Sequence, residues 1–154
     1  MSDTTKTTQD ERETFSAGAG FRIFGVGLDL DAVTRELGQQ PDYTHKQGVP
    51  DIHKRIHPHD MWSLASPLGD GQELEIHLNW LADRLLPCKQ YIFSLSKQFK
   101  VDIYCWKNCY TEQASLILSS QSLGIFTELS IALDVSLIFG PSESETKVGD
   151  GLLG

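Results

Sequence analysis

The stretch SIALDVSLIF, residues 130–139, alternates without a break: Ile131, Leu133, Val135, Leu137 and Phe139 are apolar and share a period of two. That period puts all five side chains on one face of an extended strand; wound as a helix, they would scatter around the axis. A chain that closes on such a strand needs a sheet to receive it, so purely helical folds are excluded. The remaining question is how the other segments build that sheet.

Read back along the chain, the periods change from segment to segment. FRIFGVG at 21–27 sets Phe21 and Ile23 against Arg22 and Phe24, a strand pattern. Asp29 then stands where an N-cap carboxylate belongs. Leu30, Val33 and Leu37 follow on one helical stripe, and Gly38 occupies the left-handed C-terminal position. A short strand is expected near Tyr43–Lys46 and another at MWSLAS, 61–66, ended by Pro67, Gly69 and Gly71. Leu74, Leu78, Leu81 and Leu85 are spaced by four, three and four and form the face of a long helix that Pro87 should kink. Ile92, Leu95 and Phe99 continue it, VDIYCW at 101–106 alternates, and ASLIL at 114–118 reads as a further strand. Ser119 or Ser120 can cap a last helix, with Leu123, Phe126 and Leu129 on its apolar side, before the closing strand. The order β-α-β-β-α-β-β-α-β predicts an α+β domain. Its first six elements have the order of a ferredoxin-like split βαβ core, followed by a β-α-β extension. The two-strand steps favour hairpins, so the sheet should be mainly antiparallel, with helices on one face.

The ends differ from the middle. Residues 1–19 are rich in Thr, Ser, Asp, Glu and Gly and read as a polar tail ending at a hinge, Ala17-Gly18-Ala19-Gly20. Residues 140–154 read as a second tail, leaving one domain over 20–139. No run of about 18 apolar residues offers a membrane span, and the N-terminus lacks the apolar segment of a secretory signal. Three cysteines, an odd and sparse set, suit a reducing compartment, so a cytoplasmic location is expected. A formal net charge of -8 argues against general binding of nucleic-acid backbones.

FRIFGVGLDLDAVTRELG, the T-H-K-Q-G step at 44–48, MWSL, the helix containing IHLNWLADRL, and the closing SLGIFTELSIALDVSLIF together resemble the bacterial family catalogued as domain of unknown function 4279. The likeness spans nearly all of Phe21–Phe139. Leu30 departs from it, standing where many members have a proline at the first helical position, a residue favoured but not required there. The resemblance implies a bacterial α+β domain and carries no activity with it.

The chemistry concentrates in HKRIHPHDMW, 53–62. Together with the residues just before it, His45, Lys46, His53, Lys54, Arg55, His57 and His59 gather positive and titratable groups within an acidic chain, and Trp62 follows them. Such a cluster suits a small anionic ligand or an acidic patch on a partner protein. Zinc is the sharper alternative. His57 and His59 would project to the same side of an extended chain, and Asp51, Asp60 or His45 could complete a set. Yet no H-E-x-x-H or C-x-x-C spacing is present, and Pro58 biases His57 out of a helix. No metal or cofactor is therefore assigned. A hydrolase would need these histidines to converge with Asp60 and with Ser63 or Ser66, and no G-x-S-x-G elbow fixes that geometry. Tyr104, Trp106 and Phe24 share the strand faces opposite the apolar set and would form an aromatic layer there. Cys105 falls on the apolar face, Cys109 in an exposed loop, and His77 on the polar side of its helix. The expected function is a non-enzymatic binding module using the 45–59 segment, with a small metal-dependent hydrolase as the alternative. Dimerisation through a sheet face or edge is compatible with either.

Overall fold

The computed structural model describes residues 14–140. Its elements run β1 (Phe15–Gly25), α1 (Leu30–Leu37), β2 (Tyr43–His45), β3 (Asp60–Ala65), α2 (Leu74–Leu85), a 3-10 turn (Leu86–Cys88), α3 (Lys89–Ser96), β4 (Lys100–Cys109), α4 (Ser120–Leu129) and β5 (Ala132–Phe139). The five strands form one mixed sheet in the order β2-β3-β1-β4-β5. The β1–β3, β1–β4 and β2–β3 pairs are antiparallel, and β4–β5 is parallel. The fold is thus α+β, as expected.

One sheet face carries the core. Phe21 pairs with Leu64 on one side and Ile103 on the other, and Ile23 sits between Trp62 and Val101. These side chains pack with Ala17, Ala19 and Cys105 of the sheet and with Leu74, Leu78, Leu81 and Leu85 of α2 in one buried cluster. Full burial of each large apolar side chain stabilises the fold by about 1.5–3 kcal/mol before entropy is counted. α1 begins as its sequence dictates: the Asp29 carboxylate accepts from the Ala32 amide at 3.1 Å, and Gly38 closes the helix at φ 65°. Pro87 does interrupt the long helical run, as a 3-10 turn between α2 and α3.

Several expectations change. The first strand starts at Phe15 rather than after Gly20, so Ala17-Gly18-Ala19-Gly20 is buried strand and not a hinge. The glycines are spacers for aromatic rings. A Cβ on Gly18 would lie 2.7 Å from the Trp106 indole, and one on Gly20 2.5 Å from the Tyr104 ring. The rest of the expected tails, 1–13 and 141–154, lies outside the described residues. ASLIL at 114–118 forms no strand and joins no ladder among the described residues. β4 already has β1 on one edge and β5 on the other, so it offers that segment no free edge. In α4 the buried stripe is Ser122, Ile125 and Leu129, and Leu123 is exposed. No helix among the described residues is long and apolar enough to cross a membrane.

Candidate functional site

The 46–59 loop leaves the short edge strand β2 and returns into β3. What folds it is one carboxylate. Oδ1 of Asp51 accepts from the backbone amides of His53 at 2.8 Å and Arg55 at 2.9 Å. Oδ2 accepts from Tyr43 Oη at 3.1 Å, Arg55 Nε at 3.2 Å and His57 Nε2 at 2.8 Å. The side chain is closed off from solvent. The His57 hydrogen bond, reinforced by the amides of Arg55 and His53 and by Tyr43, outweighs burial and drives the Asp51 pKa far down. Reciprocal backbone bonds, Asp51 amide to Arg55 carbonyl and Lys54 amide to Asp51 carbonyl, close the turn at 2.9 Å each. Lys54 sits at its tip with φ 62°, a left-handed conformation that costs a non-glycine residue energy and persists only where its surroundings hold it.

A second carboxylate ties the ends of the loop to the sheet. Asp60 accepts from the amides of Gln47 at 2.7 Å and of Gly27 and Leu28 at 3.0 Å. Those bonds, the one from Gln47 first, depress its pKa against the pull of burial.

The histidines come together above β2. The rings of His45 and His57 stack at 3.7 Å with their planes 8° apart, and His59 lies 5.2 Å from His45 and 5.6 Å from Phe24. His45 is buried, and its Nδ1 is 3.0 Å from Tyr43 Oη. The tyrosine proton is committed to ionised Asp51, which only accepts, so the network assigns the ring proton to His45 Nδ1. Nε2 is left as a buried lone pair with no partner. Burial first, then the neighbouring His57 and His59, lowers the His45 pKa, against the opposing pull of Asp51 and Asp60. A cleft of about 490 Å³ opens beside this cluster, between α1 and the loop, with His45, Lys46, Thr34, Asp31 and Val49 in its wall.

The expected residues therefore divide. Asp51 takes up Arg55 and His57, whereas Lys46, His53 and Lys54 are exposed and make no ion pair among the described residues. Trp62 leaves the set. Parity in β3 turns it to the core face, where it is fully buried against Phe21 with its Nε1 donating to Thr34 Oγ1 at 3.0 Å.

A metal cage does not form, because among the described residues no three His, Cys, Asp or Glu side chains are placed to hold an ion. Imidazole binds a metal in the plane of its ring. Two rings stacked face to face direct their lone pairs side by side rather than to one point, and His57 Nε2 is already bonded to Asp51. Nor do the expected catalytic partners converge. Asp60 is occupied by backbone amides, Ser63 is buried in β3, and Ser66 bonds to His77 instead, Oγ to Nδ1 at 2.8 Å.

His77 is not exposed but fully buried. The spacing that reveals this is in the chain: His77 follows Leu74 by three and precedes Leu81 by four, which puts it on the leucine stripe. Cys109 is likewise buried, at the end of β4 rather than in a loop. Cys105 is buried as expected, and burial pushes its thiol up to about 12. On the sheet face opposite the core, Tyr104 rests against Gly20 with the Arg22 guanidinium 4.7 Å from its ring centroid. Arg22 is gripped in turn by Asp102 at 2.9 and 2.8 Å. Those contacts knit the aromatics into the sheet.

A larger cleft, about 720 Å³, lies elsewhere, around Lys107, Glu73, Glu75 and Ile117. Its buried lysine is already answered, by the Ser115 carbonyl at 2.9 Å and by Glu73 at 3.5 Å.

Comparison with curated proteins gives no match, and neither does comparison with solved structures. A family model does match, over residues 13–140, a span that takes in every strand and helix described above and the whole of the histidine loop. The chain belongs to the family described as domain of unknown function 4279.

Proposed function

We propose that the protein is a non-enzymatic binding module, and that the 45–59 segment takes a small anionic ligand or an acidic group on a partner. One observation carries the reading. Asp51 builds a rigid turn that holds Lys54 strained at its tip, while Lys46 stands on the adjacent cleft wall. Strain kept in a polar loop on a rigid scaffold is a recurring mark of a binding surface. An anion reaching both lysines would gain charge-assisted bonds, and protonated His53 or His59 would add to them.

The same reading takes the order and antiparallel pairing of β2-β3-β1-β4 as a ferredoxin-like split βαβ core, with the helices as a layer on one face. A cytoplasmic setting is consistent with Cys88, Cys105 and Cys109 being free thiols.

The test is calorimetric titration at low salt with inorganic phosphate and with a short poly-glutamate peptide. Saturable binding of either probe is expected, weakened about tenfold, or about 1.4 kcal/mol, in the double variant Lys46→Ala/Lys54→Ala. Absence of binding to both probes, or unchanged affinity in the double variant, overturns the reading.

A further inference from the structure

The histidine cluster has a feature that anion binding does not require: its innermost ring is buried with one nitrogen unsatisfied. We propose that His45, His57 and His59 form a proton-operated latch, which holds the 46–59 loop on the β2 edge of the sheet when neutral and releases it when protonated. This regulation rests on the binding role proposed for the same loop.

The argument starts from the ring proton. With Nδ1–H spent on Tyr43, protonation of His45 must occur at Nε2, and among the described residues no acceptor lies within reach of the new N–H. The cation would form at a buried nitrogen, face to face with His57, 3.7 Å away. If His57 is charged as well, two cationic rings lie stacked, with His59 a third titratable ring at 5.2 Å.

The surroundings weigh in both directions. From β2, Tyr43 offers only its oxygen. From the loop, Lys46 and Arg55 add like charge and Asp51 opposes it, but the lone pairs of Asp51 already serve five donors. From β3, Asp60 opposes it too, and its oxygens are committed to three backbone amides. From β1, Phe24 presents an uncharged ring beside His59. Neither of these carboxylates can turn to meet Nε2–H without giving up a bond that folds the loop, and Asp31 of α1, in the wall of the same cleft, makes no hydrogen bond to that nitrogen. Relief therefore comes by letting the loop go: His45 Nε2–H then meets water and no longer faces the rings of His57 and His59. The depressed His45 pKa agrees in sign, and it places the release below the ordinary histidine value of 6.5.

The measurement is hydrogen exchange on the full chain, without ligand, from pH 7.5 to pH 5.0, with protection corrected for intrinsic rates. The reporters are the amides of Gln47, Gly48 and Arg55, bonded respectively to Asp60, to the His57 carbonyl and to Asp51. Phe21 and Ile103 report the core. Loop protection should fall by up to about tenfold per pH unit below the transition, the slope of a one-proton linkage, while core protection falls far less. His45→Asn, whose amide can still donate to Tyr43 but does not titrate, should flatten the step. Should that variant fail to fold, His57→Gln keeps a donor for Asp51, removes one facing ring, and should shrink the step. Flat loop protection, a parallel fall of loop and core, or an unaltered step in the variant overturns the latch. Phosphate titration at pH 7.5, with the loop closed, tests the binding role separately, so the two failures are distinguishable.

Discussion

Two histidines are buried in this protein, and their opposite wiring separates a structural group from a candidate functional one. His45 and His77 each touch one hydroxyl through Nδ1 and leave Nε2 without a hydrogen-bond partner. Burial is the leading cause of a lowered pKa at both. At His77, the Ser66 hydroxyl accepts from the Leu68 amide and can also donate to Nδ1, a role that the Tyr43 hydroxyl, committed to Asp51, cannot take at His45. The backbone carbonyls of Gln72, Gly69 and Ala17 lie on hand to favour its charge. At His45, Asp51 takes the tyrosine proton, the ring proton moves to Nδ1, and Nε2 becomes a bare lone pair among other imidazoles. His77 pins the turn ahead of α2 within the core. His45 holds a mobile charge in check under a loop.

The largest expected effect is on global stability. His77→Ala should cost about 2–3 kcal/mol, as other large-to-small core changes do, read from the denaturant midpoint at constant slope. His45→Ala should cost less globally and act mainly on the loop. Equal losses would erase the distinction.

Next comes Asp51→Ala, which removes the acceptor for five donors at once. Tryptic cleavage after Lys54 or Arg55 should become much faster while the core melts nearly as before. Resistance equal to the parent's would show that the loop is held by something other than Asp51.

A smaller effect follows from acid. Both histidines have folded-state pKa values below the ordinary 6.5, so their contribution is complete above 6.5 and is lost as pH falls through that value toward the folded-state ones. The lowered carboxylates of Asp51, Asp60 and Glu75 contribute above their ordinary values of 3.8 to 4.5 and are lost as pH falls below them. Stability measured against pH should therefore fall in two stages. A single fall confined to the carboxylate range would contradict the histidine part.

The smallest effect is the most specific. Tyr43→Phe removes one hydroxyl, at a cost of about 1 kcal/mol, and frees the His45 tautomer. Nitrogen-15 chemical shifts should place the proton on Nδ1 of His45 in the parent, with His45 and not His77 changing in the variant. A His45 proton on Nε2 in the parent would refute the assigned relay.

Much of this was legible in the chain. The cap at Asp29, the stop at Gly38, the Pro87 interruption and the leucine stripe of α2 are local patterns, and local physics enforces them. Readings failed where a distant residue set the meaning of a local one. AGAG looks like a hinge until Trp106 and Tyr104 lie across it. ASLIL looks like a strand until β5 has taken the open edge of β4. His77 looks to lie on the polar side of its helix until its spacing with Leu74 and Leu81 is followed onto the buried stripe. Trp62 adjoins the histidines in sequence, yet strand parity sends it to the core face.

The sequence by itself determined the α+β class, most of the helices and strands and the segment where charge and imidazole gather, because periodicity and capping act over a few residues. Only the tertiary structure decided that Asp51 is the centre of that segment, that His45 lies buried in a stack, and that no metal cage forms among the described residues. Hydrogen-bond geometry and ring orientation arise between residues brought together by the fold, and no spacing along the chain encodes them.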